Sequence, residues 1–313
     1  MRCTLILEIR RNGSTENVRF ENCLSFVYEK ALYLPYAQFD GTFFGEAAAP
    51  FDASQVLSVR ALLDSRELHY GMPDKVSIEQ RGSFYKVRVN SLSYTMLLAQ
   101  NEPYPGINTN VTLKTLCSGA LDCNRISYED PTPVVGNIYA KEHSTVWDAA
   151  VAYCIKACGN YPYISCRNTV MMTMDDRRTV DISDRIFPEK GSEAQSGRIL
   201  SDVYMKELGD TYPYEAHDAS AADKGIVRTR YYPLDMQWLY DPQVGLQHKL
   251  DISNRAAKVK SCTYSGYAGE DLMDRVTGGG LTGMRINSMR ISGSPKGIFT
   301  TLKAYDDRYG QRS

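Results

Sequence analysis

Three cysteines lie close together in the segment STVWDAAVAYCIKACGNYPYISC, residues 144–166. Cys154, Cys158 and Cys166 follow the spacing C-x3-C-x7-C. Residues four apart share a face of a helix, so the sulfurs of Cys154 and Cys158 could bind Zn²⁺ or Cu(I), with Cys166 as a third ligand. Structural zinc sites usually combine two C-x2-C pairs, and this sequence has no such second pair. We therefore expect reduced cysteines that serve as packing residues, and we predict no metal and no cofactor.

Other motifs that carry chemistry are weak in this sequence. Gly278, Gly280 and Gly283 in TGGGLTG fit G-x-G-x-x-G, but the strand-like sequence after them favours a hairpin loop over a phosphate site. The four histidines form no H-x-x-x-H or H-E-x-x-H spacing, and no serine lies in G-x-S-x-G. The adjacent acids Asp175 and Asp176 are more typical of a turn than of acid–base catalysis. We predict no catalytic residues.

The elements that would position the cysteines can be predicted from local signals. Thr145, followed by Asp148 three residues later, matches a capping box, and Gly159 marks a C-terminal stop. One helix is predicted over residues 145–158, apolar on nearly all sides and therefore buried. The sequence after it has the pattern strand, turn at 175–178, strand, which predicts a module of one helix plus a hairpin.

Most of the remaining chain alternates apolar and polar residues, as strands do. Asn12 and Gly13 predict a tight turn between two strands near the start. The last strands pair across the turn SGSPKG, with a bulge at Ser288 because the apolar pattern changes phase there. A connector rich in Pro and Gly, residues 100–113, marks the first boundary.

These patterns predict an α+β, mainly β fold. Two β-barrel-like domains, residues 1–112 and 196–313, are expected to flank a smaller α+β module, residues 113–195.

Residues 31–53 break the alternation with aromatics, prolines and glycines, as a long loop would. Such loops often carry recognition sites. Five aromatic side chains in this segment are therefore candidate interaction residues: Tyr33, Tyr36, Phe39, Phe43 and Phe44. In the alternative interpretation, they fold back over one end of a barrel.

Composition restricts the partners. The net charge is −1 and the basic residues are spread along the chain, so we expect no specific binding of nucleic acid. No apolar run is long enough to insert into a membrane, and the start does not resemble a signal peptide, so we expect synthesis in a cytoplasm. The 22 tyrosines, against 9 Phe and 2 Trp, suit large protein contacts and indicate a part of an assembly.

Four stretches in order along the chain carry a resemblance to a known family: LSFVYEKALYLPYAQFDGTF, YTMLLAQNEPYPGINTNVTLKTL, STVWDAAVAYCIKACGNYPYI and SGSPKGIFTTLKAYDDRY. Together they resemble the baseplate hub proteins of bacteriophage tails, in particular those encoded in prophages. That family includes the late control D proteins and the hub part of type VI secretion spikes. None of the four stretches is a catalytic signature.

The resemblance implies a virion protein of the tail baseplate, assembled in the bacterial host cytoplasm. It implies a homotrimer whose two barrel-like domains per subunit form a pseudo-sixfold ring between a sixfold tail tube and a threefold central spike. Baseplate wedge and tape-measure proteins would be further partners. Because no peptidase or lysozyme-like domain is expected after the last strand, a lytic role is disfavoured. The alternative, a cell-wall or glycan hydrolase of the tail tip, stays open. Such an enzyme needs two carboxylates at a set distance in the folded protein, and a sequence does not give that distance.

Overall fold

A computed structural model describes residues 2–47, 50–172, 178–255 and 258–306 of the 313-residue chain. Strands predominate over helices in these residues, so the predicted mainly β, α+β fold class is confirmed.

Seven strands come first. They are β1 (Cys3–Arg11), β2 (Ser14–Phe20), β3 (Asn22–Ala31), β4 (Ala37–Glu46), β5 (Val56–Leu63), β6 (Arg66–Arg81) and β7 (Phe84–Ser93). They pair antiparallel in the order β3-β4-β7-β6-β5-β1-β2. Because β1 also lies against β3, and β2 against β4, the sheet curls back on itself and encloses its apolar face.

The first hairpin forms as predicted. β1 and β2 pair in register across Asn12 and Gly13, whose φ angles of 48° and 80° are those of a tight hairpin turn. Along β1, Leu5, Leu7 and Ile9 are fully buried, so the period of two read from the sequence is the inward face of the strand.

Residues 31–53, predicted as a long loop, instead contain β4, so that prediction is wrong. Phe39 and Phe43 point inward from this strand and Gly41 lies between them. A Cβ on Gly41 would lie 2.6 Å from the ring of Phe43 and 3.0 Å from that of Phe39. Gly41 interrupts the alternation of apolar and polar residues in the sequence of β4. It is required at this position because it leaves room for the two rings.

The middle of the chain combines short strands with three helices. In order they are α1 (Leu97–Gln100), β8 (Gly106–Val111), α2 (Leu113–Ala120), β9 (Ser127–Tyr128), β10 (Val135–Ala140), α3 (Val146–Cys158), β11 (Tyr163–Ile164) and β12 (Thr169–Met171). The predicted connector thus includes β8, which pairs with β10. α3 packs against α1 and α2, and their buried side chains form one apolar cluster.

The predicted caps of α3 are present. The hydroxyl of Thr145 accepts a bond of 3.1 Å from the backbone N–H of Asp148, and the Asp148 carboxylate accepts one of 2.8 Å from the N–H of Thr145. The helix ends at Gly159, whose φ of 74° is left-handed, and its N–H reaches back to the carbonyl of Ile155. The helix prediction is confirmed.

The last part of the chain begins at β13 (Thr179–Asp181). It continues with β14 (Glu189–Glu193), β15 (Asp202–Met205), β16 (Tyr214–His217), α4 (Ala219–Asp223), β17 (Thr229–Tyr232), α5 (Pro242–Asn254), β18 (Val259–Ser265), β19 (Arg275–Thr277), β20 (Met284–Ser294) and β21 (Gly297–Asp306). The helix α5 was not predicted. It packs Leu246 and Leu250 on Val203 and Met205 of the small sheet β16-β15-β17.

The hairpin predicted after α3 is wrong in its pairing. The turn at 175–178 lies mostly outside the described residues, but the strands on either side of it have other partners. β12 pairs with β11 and with β9, whereas β13 pairs in parallel with β19. Ile164 and Val170 pack on the cluster around α3, and Val180 packs on the core of the large sheet. Burial in different cores separates the two strands.

The two ends of the chain meet in one sheet of 13 strands. β3 pairs with β20 and thereby joins β14-β18-β21-β20 to the seven N-terminal strands. One cluster of buried side chains runs from Leu5 to Tyr305 across this junction. The C-terminal hairpin β20–β21 is confirmed, and its register shifts between Ile286 and Ser288, next to the predicted bulge. The division into three domains stays a prediction.

Candidate interaction surface

The five aromatic residues proposed for recognition do not form one surface. Phe39 and Phe43 are fully buried, with ring centroids 6.3 Å apart, and serve the core of the curled sheet. Phe44 is part of the outer face of β4, where it borders a shallow groove together with the exposed Phe84. Tyr36 and Tyr33 lie near the end of β3 and face two different grooves.

The groove beside Tyr36 crosses the junction between β3 and β20 on the outer face of the large sheet. Its volume is about 410 Å³, and its lining includes Leu34, Met289 and Lys303. Glu29 and Arg290, one on each strand of the junction, form an ion pair within it. This surface therefore combines the exposed Leu34 and the half-buried Tyr36 with charges from both ends of the chain.

The second groove lies beside Tyr33 and is organised around Arg255. Tyr33 meets Tyr161 edge to face, with centroids 4.8 Å apart, and its hydroxyl accepts a hydrogen bond from the Arg255 guanidinium. The same guanidinium lies 5.1 Å from the ring of Tyr33, 5.4 Å from that of Tyr161 and 4.9 Å from that of Tyr305. The groove has a volume of about 470 Å³. The aromatic sequence around Tyr33 gave a signal for this site, but nothing in the sequence pointed to Arg255.

A buried lysine joins three parts of the chain near these grooves. Lys30 of β3 donates to the carbonyl of Ile164 in β11 at 3.2 Å and to the carboxylate of Asp271, which precedes β19. The lysine side chain is 3% exposed and that of the aspartate 19%. Sequence reasoning missed this pair because its members are far apart along the chain.

The three cysteines first considered as metal ligands lie in two environments. Cys154 is fully buried on α3, where burial raises the pKa of its thiol well above the usual value. The Cys158 thiol donates to the carbonyl of Cys154 at 3.2 Å, as a thiol on the next helical turn can. Cys166 lies in the turn between β11 and β12, where burial raises its pKa and the charge of Lys30 opposes that shift. Among the described residues, no three His, Cys, Asp or Glu side chains group closely enough to hold a metal ion.

His217 has a close acidic partner but not the arrangement of a hydrolase. His217 Nδ1 lies 2.7 Å from Asp202, and this bond is the main cause that raises the pKa of the imidazole. The nearby hydroxyl of Ser201 donates to the same carboxylate at 2.6 Å. In a serine hydrolase the hydroxyl would instead bond to the imidazole. Asp175 and Asp176, the acids noted in the sequence, lie outside the described residues.

The glycine-rich segment TGGGLTG forms the turn of a hairpin. It connects β19 to β20, which pair antiparallel, and the Lys260 ammonium donates to the carbonyl of Gly280 at 2.9 Å. A strand rather than a helix follows Gly283, so the segment lacks the helix N-terminus that would bind a phosphate. The hairpin-loop prediction is confirmed.

In the part of the chain that the structure describes, none of the helices has the length and apolar character needed to cross a membrane.

The large joined sheet, the α+β module beside it and the second small sheet define a fold known from tail proteins of prophages. The structure is similar to the 43 kDa tail protein of prophage MuSo2 from Shewanella oneidensis, with a TM-score of 0.74 at 12% identity, covering 99% of this chain and 100% of that one. It is similar to the tail protein from Neisseria meningitidis MC58, with a TM-score of 0.69 at 14% identity and 98% coverage of both chains.

A third similar structure comes from Escherichia coli. That protein is described as a component of the type VI secretion system with structural similarity to the T4 bacteriophage tail proteins gp27 and gp5. Its TM-score is 0.56 at 10% identity, covering 93% of this chain and 76% of that one. No protein-family model and no curated protein matches the sequence. The likeness is therefore one of fold.

Proposed function

We propose that this protein is a structural subunit of a phage tail, a baseplate hub of the late control D type that forms a homotrimeric ring between a sixfold tail tube and a threefold central spike. The observation that carries the proposal is the full-length match in fold to prophage tail proteins, which includes both β-rich ends and the module between them. The tail baseplate of the virion would be its location.

The arrangement of the large sheet supports the ring. Each chain places two β-rich units side by side through the pairing of β3 with β20. Three copies would present six such units, which is the number a sixfold tube requires. Within the described residues, the sheet path ends at β2 on one side and at β14 on the other, each with a strand on one side only. Contacts between two different edges are head-to-tail, and such contacts generate a ring when the rotation between neighbouring copies closes.

The proposed partners are the tail tube protein, the central spike protein, and the wedge and tape-measure proteins. Large surfaces with few charges at their centre and exposed tyrosines are typical of such contacts. Tyr104, Tyr231 and Tyr240 are 90%, 62% and 61% exposed, so part of the large tyrosine content remains available outside the core.

Four measurements test the proposal. The mass of the purified protein in solution, followed over a range of concentrations, should be that of a trimer, and averaged electron micrographs should show a ring with threefold symmetry. The ring should bind a tail tube protein encoded beside it. A strict monomer at high concentration that binds neither tube nor spike protein would contradict the proposal. Release of soluble fragments from purified peptidoglycan would contradict a purely structural role and favour the hydrolase alternative.

A further inference from the structure

The groove beside Tyr33 contains a buried positive charge that has no negative partner among the residues that the structure describes. Arg255, at the end of α5, is only 5% exposed. Its described contacts are the hydroxyl of Tyr33 and the faces of three tyrosine rings. Its Nε–H has no hydrogen-bond partner among the described residues. Buried charges in proteins are normally paired, so a guanidinium whose described direct contacts are all neutral tyrosine groups indicates a place for an anion.

The acidic residue in the wall of the groove does not supply that anion. The carboxylate of Asp148 caps α3, since it accepts from the backbone N–H of Thr145 at 2.8 Å and from its hydroxyl at 2.7 Å. A second guanidinium, that of the exposed Arg198, also lines the groove. The balance of charge in the groove is therefore positive and suits an anionic ligand.

The rest of the lining is apolar, apart from one hydrogen-bond acceptor that lacks a donor among the described residues. Trp147 and Val151 of α3 and Ile252 of α5 all line the groove. Asn287, at the bulge of β20, also lines it, and its side-chain oxygen is buried with no hydrogen-bond partner in the described residues. A ligand that satisfies this wall must offer an N–H donor, a carboxylate and an apolar group together, and an extended peptide offers all three.

We propose that this groove binds an extended segment of a partner chain in which an acidic side chain lies next to an apolar one. The carboxylate pairs with Arg198 and Arg255, the apolar side chain packs between Trp147 and Ile252, and a backbone N–H donates to Asn287. The proposal rests on the proposed function in one respect, because it takes the partner to be another protein of the tail.

A pair of synthetic probes tests the site on the full chain. They are the capped dipeptide acetyl-phenylalanyl-glutamyl amide and its glutaminyl analogue, which differ only in the carboxylate. Trp147 lines the groove, so tryptophan fluorescence should change on binding. We expect the glutamyl probe to bind in the millimolar range and the glutaminyl probe about tenfold more weakly, because the analogue leaves the guanidinium unpaired.

Variants at exposed positions keep the test independent of folding. Arg198→Glu reverses a charge in the groove and should reduce affinity for the glutamyl probe by about tenfold or more. The matched control is Arg88→Glu, an exposed arginine on β7, which should leave affinity unchanged. Equal affinity for both probes, no binding of the glutamyl probe, or equal effects of the two variants would overturn the proposal.

The outcome separates this inference from the hub function. Probe binding does not require assembly, so a protein that binds the glutamyl probe but stays monomeric would retain the site and lose the hub role. In the opposite result, a trimeric ring binds tube protein yet shows equal affinity for the two probes and equal effects of the two variants. That result would retain the hub role and lose the site.

Discussion

The buried Lys30 and the partly buried Asp271 form an ion pair although 241 residues separate them along the chain. The ammonium group also donates to the carbonyl of Ile164, so one side chain connects β3, β11 and the segment before β19. Because the lysine is almost fully buried, these two acceptors are needed to offset the free-energy cost of burying its charge. The pair joins the two ends of the chain to the module between them.

Replacing Lys30 with methionine should destabilise the protein strongly. The substitution keeps much of the volume but leaves the partly buried carboxylate of Asp271 without its ammonium partner, and we expect a loss of roughly 3 kcal/mol in the free energy of unfolding. Urea denaturation followed by circular dichroism measures it. Lys86→Met removes an exposed pair with Glu79 and should cost less than about 1 kcal/mol. Similar losses in the two variants would show that burial does not decide the strength of the pair.

The cap of α3 gives a second prediction. Thr145→Ala removes the hydroxyl that accepts from the N–H of Asp148, so the free energy of unfolding should fall by about 1 kcal/mol. Thermal or urea unfolding measures the difference. The neighbouring Ser144→Ala serves as the control, since its hydroxyl donates to the carbonyl of Lys141 before the helix and does not cap it. A loss in Ser144→Ala as large as that in Thr145→Ala would argue against the capping interaction.

Features that depend on a few neighbouring residues could be predicted from the sequence. The capping box at Thr145, the stop at Gly159 and the turn at Asn12 each act within four residues, and the structure has all three. The helix α5 had a comparable signal, because Pro242 stands at its first turn and Leu246 and Leu250 follow four residues apart. Its other local signals are weak, because Asp241 makes no side-chain cap bond, Gly245 lies inside the helix and no glycine cap follows Asn254.

Features that depend on the choice of partner could not be predicted. Alternation in a strand indicates which side is buried but not which strand lies beside it, so the pairing of β3 with β20 and the separation of β12 from β13 had no local signal. The same limit applies to the candidate site. The sequence indicated Tyr33, whereas the residue that organises its groove, Arg255, lies 222 residues away.

The cysteines of α3 should contribute packing and nothing more. Replacing Cys154 and Cys158 together with alanine removes two sulfur atoms from a helix packed on α1 and α2, so we expect a loss of about 1–2 kcal/mol in the free energy of unfolding and no change in assembly. Urea denaturation and the mass in solution measure the two effects. Elemental analysis of protein purified without added metal should find no stoichiometric zinc. Loss of assembly without loss of folding would give these thiols a role beyond packing.

His69 supplies the last prediction, which concerns pH. The ring is 1% exposed, lies 2.8 Å from the hydroxyl of Ser91 through Nε2, and stacks on Phe39 at 5.6 Å. Burial lowers the pKa of His69 from 6.5 to about 3. Between these two pH values the His69 imidazole binds a proton in the unfolded chain but not in the folded chain. The free energy of unfolding therefore falls as the pH drops from 6.5 towards 3.

We expect the His69→Gln variant, which keeps a polar group towards Ser91, to lose this part of the pH dependence. At about pH 5, relative to about pH 7.5, the histidine should account for roughly 2 kcal/mol of destabilisation. Urea denaturation at the two pH values measures the slope, which is independent of any constant loss caused by the substitution. Some slope should remain, because burial also lowers the pKa of His248 to about 4. The control is His143→Gln, at a histidine whose side chain is 90% exposed, and the slope should change more in His69→Gln than in this control. An unaltered slope in His69→Gln would mean that folding does not lower the pKa of His69.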